Sequence, residues 1–269
     1  MDLKKIAPPI HLKNYVRYFW TLDNNARQSA KTFRIFADGC PGLIFNQSEK
    51  CIIYQNNEKR LPDIFLYGQA TTHNELNLTG HLSLIGAYFY PNALKAIFGL
   101  DADELTDSCA DLNPLAEKQG VCLAEKLSGA TSTPHQIEMI SRYLFQQLQK
   151  NAASQSAVIQ YAISQIVESA GKIALGDLRK DLGLSERSLE RKFRQEVGIS
   201  PKLFSRIRRF QVSLEQIRKN RYRNLSDIAY DNDYADQSHF IRAFREFSGF
   251  SPYQFQKSSN EIIENMSEL

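Results

Sequence analysis

The chain has 269 residues, 42% of them hydrophobic, with a formal net charge of +3 and four cysteines. That length calls for two domains, and the composition is apolar enough to build real cores. No apolar run approaches the roughly 18 residues of a spanning helix, the start MDLKKIAPPIHLKNY has no secretory core, and Cys40, Cys51, Cys109 and Cys122 show neither metal spacing nor a disulfide framework. The expectation is a cytoplasmic protein without a cofactor.

Residues 10–95 read as β-rich. Aromatic and β-branched runs predict strands at Tyr15–Leu22, Thr32–Ala37, Gly42–Asn46, Cys51–Tyr54, Ile64–Gly68 and Leu82–Tyr90, separated by Gly, Pro, Asn and Asp. Pro91 opens a short helix through NALKAIFG. Short helical or irregular pieces follow at Asp101–Leu105 and Pro114–Leu127, and then a clear helix runs from Thr133 to about Lys150. Its stripe of Ile137, Ile140, Leu144 and Leu148 suits either a dimer seam or packing on the sheet. The polar segment 151–157 reads as a linker.

From there the pattern is helical. Val158–Ser169 ends before Gly171, and Asp177–Leu182 is followed by a turn at Gly183. Ser185 caps Arg187–Val197, and Pro201 starts a long helix to about Asn220. Ser226 is then expected to cap Asp227–Asp231, Asp233-Tyr234 to turn, and Asp236 to cap Gln237–Phe247.

This region repeats itself. SERSLERKFRQEVGISPKLF (185–204) and DQSHFIRAFREFSGFSPYQF (236–255) align at an offset of 51 with seven of 20 positions identical. A fixed-period repeat is one structural unit used twice. Each copy is a helix, a turn and a second helix, and the helix from Pro201 joins them. The positive charge sits here: residues 155–258 hold 18 Lys and Arg against 12 Asp and Glu, while 1–154 hold 15 of each. That is the balance nucleic-acid binding requires.

In a helix-turn-helix unit the second helix enters the major groove, where Arg matches guanine and Gln or Asn matches adenine. Leu189 and Phe193 face the core in the first copy, leaving Arg187, Ser188, Glu190, Arg191 and Arg194 outward. Phe240, Ala243 and Phe244 face it in the second, leaving Gln237, Ser238, His239, Ile241, Arg242 and Arg245 outward. An outward Ile241 suits a thymine methyl.

Residues 156–257 resemble the AraC/XylS-type DNA-binding domain, most strongly through IAYDNDYADQSHFIRAFREFSGFSPYQFQ at 228–256 and LGLSERSLERKFRQEVGISPKLFSRIRRFQ at 182–211. The resemblance implies a bacterial transcription regulator, not an enzyme, reading successive major-groove segments of double-stranded DNA. Carried over by position, it implies base contacts from Arg187, Glu190 and Arg191, then from Gln237, His239 and Arg242. It implies backbone contacts from Ser185, Arg194, Ser238 and Arg245. Two positions depart from the family pattern: Asp233 stands for the turn Gly of the second unit, and Arg179 for an Ala of the first. Asp tolerates the left-handed turn. Arg179 must bend outward along its stem, either reaching a phosphate or weakening the first unit.

FADGCPGLIFN (36–46) and LIGAYFYPNALKAIFG (84–99) resemble N-terminal segments of some of these regulators. They imply a β-rich sensing or dimerising domain. The expected fold class is thus α+β: a β-rich N-terminal regulatory domain with a C-terminal helix at 1–152, an all-α domain with two helix-turn-helix units at 156–257, and an acidic tail at 258–269. Candidate partners besides DNA are a small effector, RNA polymerase and a second copy of the chain. The N-terminal aromatics (Tyr15, Tyr18, Phe19, Trp20, Phe33, Phe36, Phe45, Phe65, Tyr67, Tyr88, Phe89 and Tyr90) serve either as core or as the lining of an apolar effector pocket. The scattered histidines give no metal site. Cys40 in DGCPG is the nearest candidate thiol for an alkyl-transfer enzyme.

Overall fold

A computed structural model describes residues 2–24, 31–48, 51–151 and 156–257. The strands are β1 (Asp2–Ile6), β2 (Val16–Asn24), β3 (Lys31–Ile35), β4 (Gly42–Asn46), β5 (Ile52–Gln55), β6 (Lys59–Arg60), β7 (Ile64–Tyr67), β8 (Asn74–Thr79), β9 (Leu82–Phe89) and β10 (Cys109–Asp111). They form an antiparallel six-stranded sheet in the order β1-β2-β9-β4-β7-β10, and a four-stranded sheet in the order β3-β8-β5-β6. The six strands expected from the sequence are present within a few residues. β1, β6, β8 and β10 are additions.

Alternation sorts side chains between two cores. Phe19, Leu43, Phe45, Ile64 and Leu66 pack beneath the short helices α1 (Ala93–Phe98), α2 (Asn113–Glu117) and α3 (Leu123–Ser128) and the long helix α4 (Thr133–Lys150). Their neighbours Trp20, Ile44 and Phe65 face the second sheet with Phe33, Leu76 and Leu78. Both faces of β4 are covered, so all five of its residues are buried. The strands pass closely at Gly86, where a Cβ would lie 1.9 Å from Trp20 Cε2. Ile137, Ile140 and Leu144 of α4 are buried in the first of these cores. That stripe therefore packs within the chain and is not free to be a dimer seam.

Seven helices follow: α5 (Ala157–Glu168), α6 (Leu175–Leu182), α7 (Glu186–Val197), α8 (Pro201–Arg218), α9 (Leu225–Asp231), α10 (Gln237–Ser248) and α11 (Pro252–Lys257). The pairs α6–α7 and α9–α10 are the two helix-turn-helix units, and α8 joins them. The α+β class and the order of its parts are as expected. Most of the 151–157 linker and the acidic tail lie outside the described residues.

Two readings change. The N-cap of α9 is Asn224, not Ser226: Asn224 and Asp227 form a reciprocal capping box. Phe36, expected among the N-terminal aromatics, is fully buried in the helical core beside Phe210, Phe250 and Phe255, at ring distances of 6.4, 6.5 and 6.0 Å.

Candidate nucleic-acid interface

Each unit is built by the same local chemistry. Ser185 accepts from the Ser188 N–H at 3.2 Å and starts α7. Asp236 does the same for α10 through the His239 N–H at 2.7 Å. Gly198 and Gly249 end these helices with φ of +97° and +76°, the left-handed closure that frees a helix C-terminus to turn. Ser200 and Ser251 then cap the next segment by accepting from Leu203 and Gln254.

The turns inside the units differ in residue and agree in conformation. Gly183 has φ +62° and Asp233 has φ +53°. The aspartate thus holds the left-handed geometry at the second turn, and its carbonyl accepts from Arg209 Nη1 of α8 at 3.1 Å. Arg179 bends outward and pairs with Glu186 at 2.8 Å. It ties α6 to the first turn of α7, while Leu178, Leu189 and Phe193 stay buried.

The apolar side of each second helix is fixed in the core: Leu189 and Phe193 of α7, and Phe240, Ala243 and Phe244 of α10. On the opposite side Arg187, Arg191, Arg194, Gln237, Ser238, Arg242 and Arg245 are exposed. Glu190 is half-buried and pairs with Arg194 at 3.0 Å. His239 is half-buried too, with Nδ1 accepting from the Ala235 N–H at 3.3 Å, which leaves Nε2 as the protonated donor. Arg187, Arg191, Arg242 and Arg245 make no ion pair with another described residue. Gln237 accepts from the Ser226 hydroxyl at 2.8 Å, leaving its amide donors available. Ile241 differs from its expected outward position: it is half-buried and packs against the helical core.

Both units are anchored to α8. Phe193 meets Phe204 at 5.6 Å, and Phe244 and Phe247 meet Phe210 at 5.3 and 5.4 Å. Asn232 donates to Gln216 at 2.6 Å. At Gly171, φ is +78° and an added Cβ would lie 2.2 Å from the Ser205 carbonyl; the turn before the first unit thus rests on α8 itself.

Glu196, near the end of α7, is buried, and desolvation pushes its carboxyl up to about 7 although it accepts from the Ser156 N–H at 3.3 Å. An unfolded glutamate ionises near 4.5. Between these values the folded state holds more protons, so stability falls as pH rises through the window. Glu196→Gln, neutral throughout, is expected to stabilise the protein by ~3 kcal/mol at pH 8 and to leave it nearly unchanged at pH 4.5, as read from urea melts.

A second site feature, not anticipated from the sequence, is a cavity of about 400 Å³ where the N-terminal sheet meets α5 and α8. Its walls include Arg17, Asn92 and Arg208, with Ile163, Val167 and Phe204 as apolar lining. Asn92 Nδ2 and Arg208 Nε are buried without a partner among the described residues, and burial pushes the Arg208 guanidinium down. By contrast, the cavity beside Phe65 and Tyr67 at the sheet measures about 50 Å³. Phe65 and Tyr67 thus act as core, while Tyr90, another of the N-terminal aromatics, lines the larger cavity. Cys40 is 5% exposed and burial raises its thiol pKa, the reverse of an activated thiolate.

Residues 178–258 match the helix-turn-helix domain family, and residues 4–111 match a domain family of unknown function, DUF6597. No curated protein matches the chain. Among solved structures, ToxT from Vibrio cholerae aligns at 13% identity over 86% of this chain and 98% of its own, with a TM-score of 0.46. ToxT from strain O395 bound to (E)-4-(8-methylnaphthalen-1-yl)but-3-enoic acid aligns at 12% over 86% and 99%, with a TM-score of 0.45. The C-terminal domain of AraT, a response regulator from Geobacillus stearothermophilus, aligns at 26% over 38% and 86%, with a TM-score of 0.36. The family match and the paired units define a helix-turn-helix DNA-binding protein. Its helix-turn-helix domain is of the AraC type, and the chain is a DNA-binding transcriptional regulator.

Proposed function

We propose that this regulator is sequence-specific. In this reading Arg187, Glu190, Arg191, Gln237, His239 and Arg242 read base edges, and Ser185, Arg194, Ser238 and Arg245 hold phosphates. The observation that carries it is the matched pair of exposed arginine faces on α7 and α10, each backed by a buried apolar row, Leu189 and Phe193 in α7 and Phe240, Phe244 and Phe247 in α10. Unpaired guanidinium groups on a rigid helix are free to fork onto guanine O6 and N7. Residues 1–152 form the regulatory part and 156–257 the reading part.

The regulatory signal is a small anionic effector held in the 400 Å³ cavity. The volume falls within the range of small-molecule sites. Arg17, Arg208 and Asn92 offer donors, and Ile163, Val167 and Phe204 offer an apolar wall. Lys13 adds a further cation to the lining, and the Asp38 carboxyl in the same wall is already held by the Tyr88 hydroxyl and the Cys40 N–H, so the combination suits a carboxylate carried on an apolar body. Because the walls come from both halves, occupancy is felt by α8, the helix that spaces the units.

Selection of bound duplexes from a random pool, with and without a mixture of organic acids, tests the proposal. The expected result is a discrete two-part site. Its affinity should fall with salt by about 0.9 log units per log unit for each neutralised phosphate, and organic acids should shift its recovery. Recovery of random sequence from the pool would refute sequence-specific reading, and recovery unaltered by any acid would refute the effector.

A further inference from the structure

The duplicated glycines have a role beyond ending their helices. At Gly198 an added Cβ would lie 3.0 Å from the Ala102 carbonyl and 3.0 Å from Thr106 Oγ1, and the Thr106 hydroxyl donates to the Gly198 carbonyl at 2.7 Å. At Gly249, the same position of the second copy, a Cβ would lie 2.7 Å from the His73 ring. Both corners therefore rest directly on the N-terminal half, at equivalent points of the repeat.

The second corner is held by several further contacts. The Ala37 N–H donates to the Phe247 carbonyl at 3.1 Å, and His73 Nδ1 lies 3.4 Å from the Glu246 carbonyl. The Arg34 guanidinium, paired with Glu75, sits 4.1 Å over the Phe250 ring. Phe36 fills the core behind α10, and Gly39, at φ +79°, lets the chain leave against Phe204.

The geometry points to a two-point clamp: the Thr106 corner and the 34–39 strap with His73 set the separation and twist of α7 and α10, and so determine which spacing between two half-sites the protein accepts. The physical reason is leverage. Joined through α8 alone, each unit keeps a rotational freedom about its own packing contacts. A second attachment at the far corner closes a triangle and removes it. The clamped corners lie at the C-terminal ends of α7 and α10, and a helix transmits displacement along its length. Moving the half-sites apart by one base pair shifts them by about 3.4 Å and ~34°, a mismatch that a closed triangle resists and an open one absorbs.

The inference rests on the reading of two DNA half-sites proposed above. Its test uses the full chain, the selected duplex, and versions with one base pair added or removed between the half-sites. Wild type is expected to lose at least tenfold in affinity at either altered spacing. Thr106→Val combined with His73→Ala, which leaves the core intact, is expected to lose less than threefold while binding the original duplex nearly as well. Phe36→Ala should relax the preference further, and where it fails to fold the surface pair decides. A surface pair that keeps the wild-type ratio overturns the clamp, as does one that loses affinity equally at all spacings; sequence-specific reading stands in both cases. A wild-type chain that selects no duplex removes that reading and the clamp with it.

Discussion

Phe210→Ala is expected to cost ~3–5 kcal/mol, the range for deleting a fully buried aromatic side chain. Its ring lies at the centre of the helical core, within 5.3 Å of Phe244, 5.4 Å of Phe247 and 6.4 Å of Phe36. Those three partners come from the second unit's reading helix and from the N-terminal strap, while Phe210 itself belongs to the joining helix. No single neighbour can collapse into the void without releasing another, so the cavity term should be near its upper end. Domains of this kind have about 5–15 kcal/mol of total stability, and the loss should lower the melting temperature by roughly 6–20 °C. Thermal melts followed by helical circular dichroism read the change directly. Tyr230→Ala, at a residue 86% exposed, is the matching control and should fall within about 0.5 kcal/mol. Equal effects from the two substitutions would mean that Phe210 does not hold the core together.

The same region shows why so much of the C-terminal half was legible in the sequence. Ser185 and Asp236 are caps that act through the adjacent backbone N–H groups. Local chemistry of that kind is written in consecutive residues. The seven identities of the repeat fix the buried and exposed faces twice over. The Asn224 cap escaped because its box closes with Asp227 in place of the longer Glu or Gln.

Strands depend on partners far along the chain, and the N-terminal half was read less completely for that reason. β1 is a lysine-bearing edge strand, exposed along most of its length, a composition that hides an edge from pattern reading. β8 carries its signal in Leu76 and Leu78 alone, set among asparagines and a glutamate. The Phe36 strap looks like the end of a strand. Its destination, a core built by residues from Ile159 to Phe255, is a tertiary fact with no local signature. The cavity at the junction is illegible for the same reason: Arg17 and Arg208 are brought together only by the docking of the two halves.

The double substitution Arg191→Ala with Arg242→Ala is expected to have the largest effect on recognition. The two residues occupy equivalent positions in the repeat, are exposed, and make no ion pair with another described residue. Their removal therefore breaks nothing in the folded protein, and the melting temperature should hardly move. Each bidentate arginine–guanine pair is worth ~1–3 kcal/mol of discrimination. The two lie on separate helices, so their losses should add, for a total of ~2–6 kcal/mol. In affinity for the selected duplex that is about 30-fold to more than 10⁴-fold. Affinity for a scrambled duplex should fall far less, because the phosphate backbone supplies it. Arg194→Ala with Arg245→Ala should behave in the opposite way, weakening both duplexes alike and reducing the salt slope by about 0.9 for each phosphate no longer neutralised. Competition titrations of selected against scrambled DNA separate the two patterns. If the Arg191 and Arg242 pair lowers both affinities by the same factor, base reading belongs to other residues, and the outward arginines of α7 and α10 only hold the backbone.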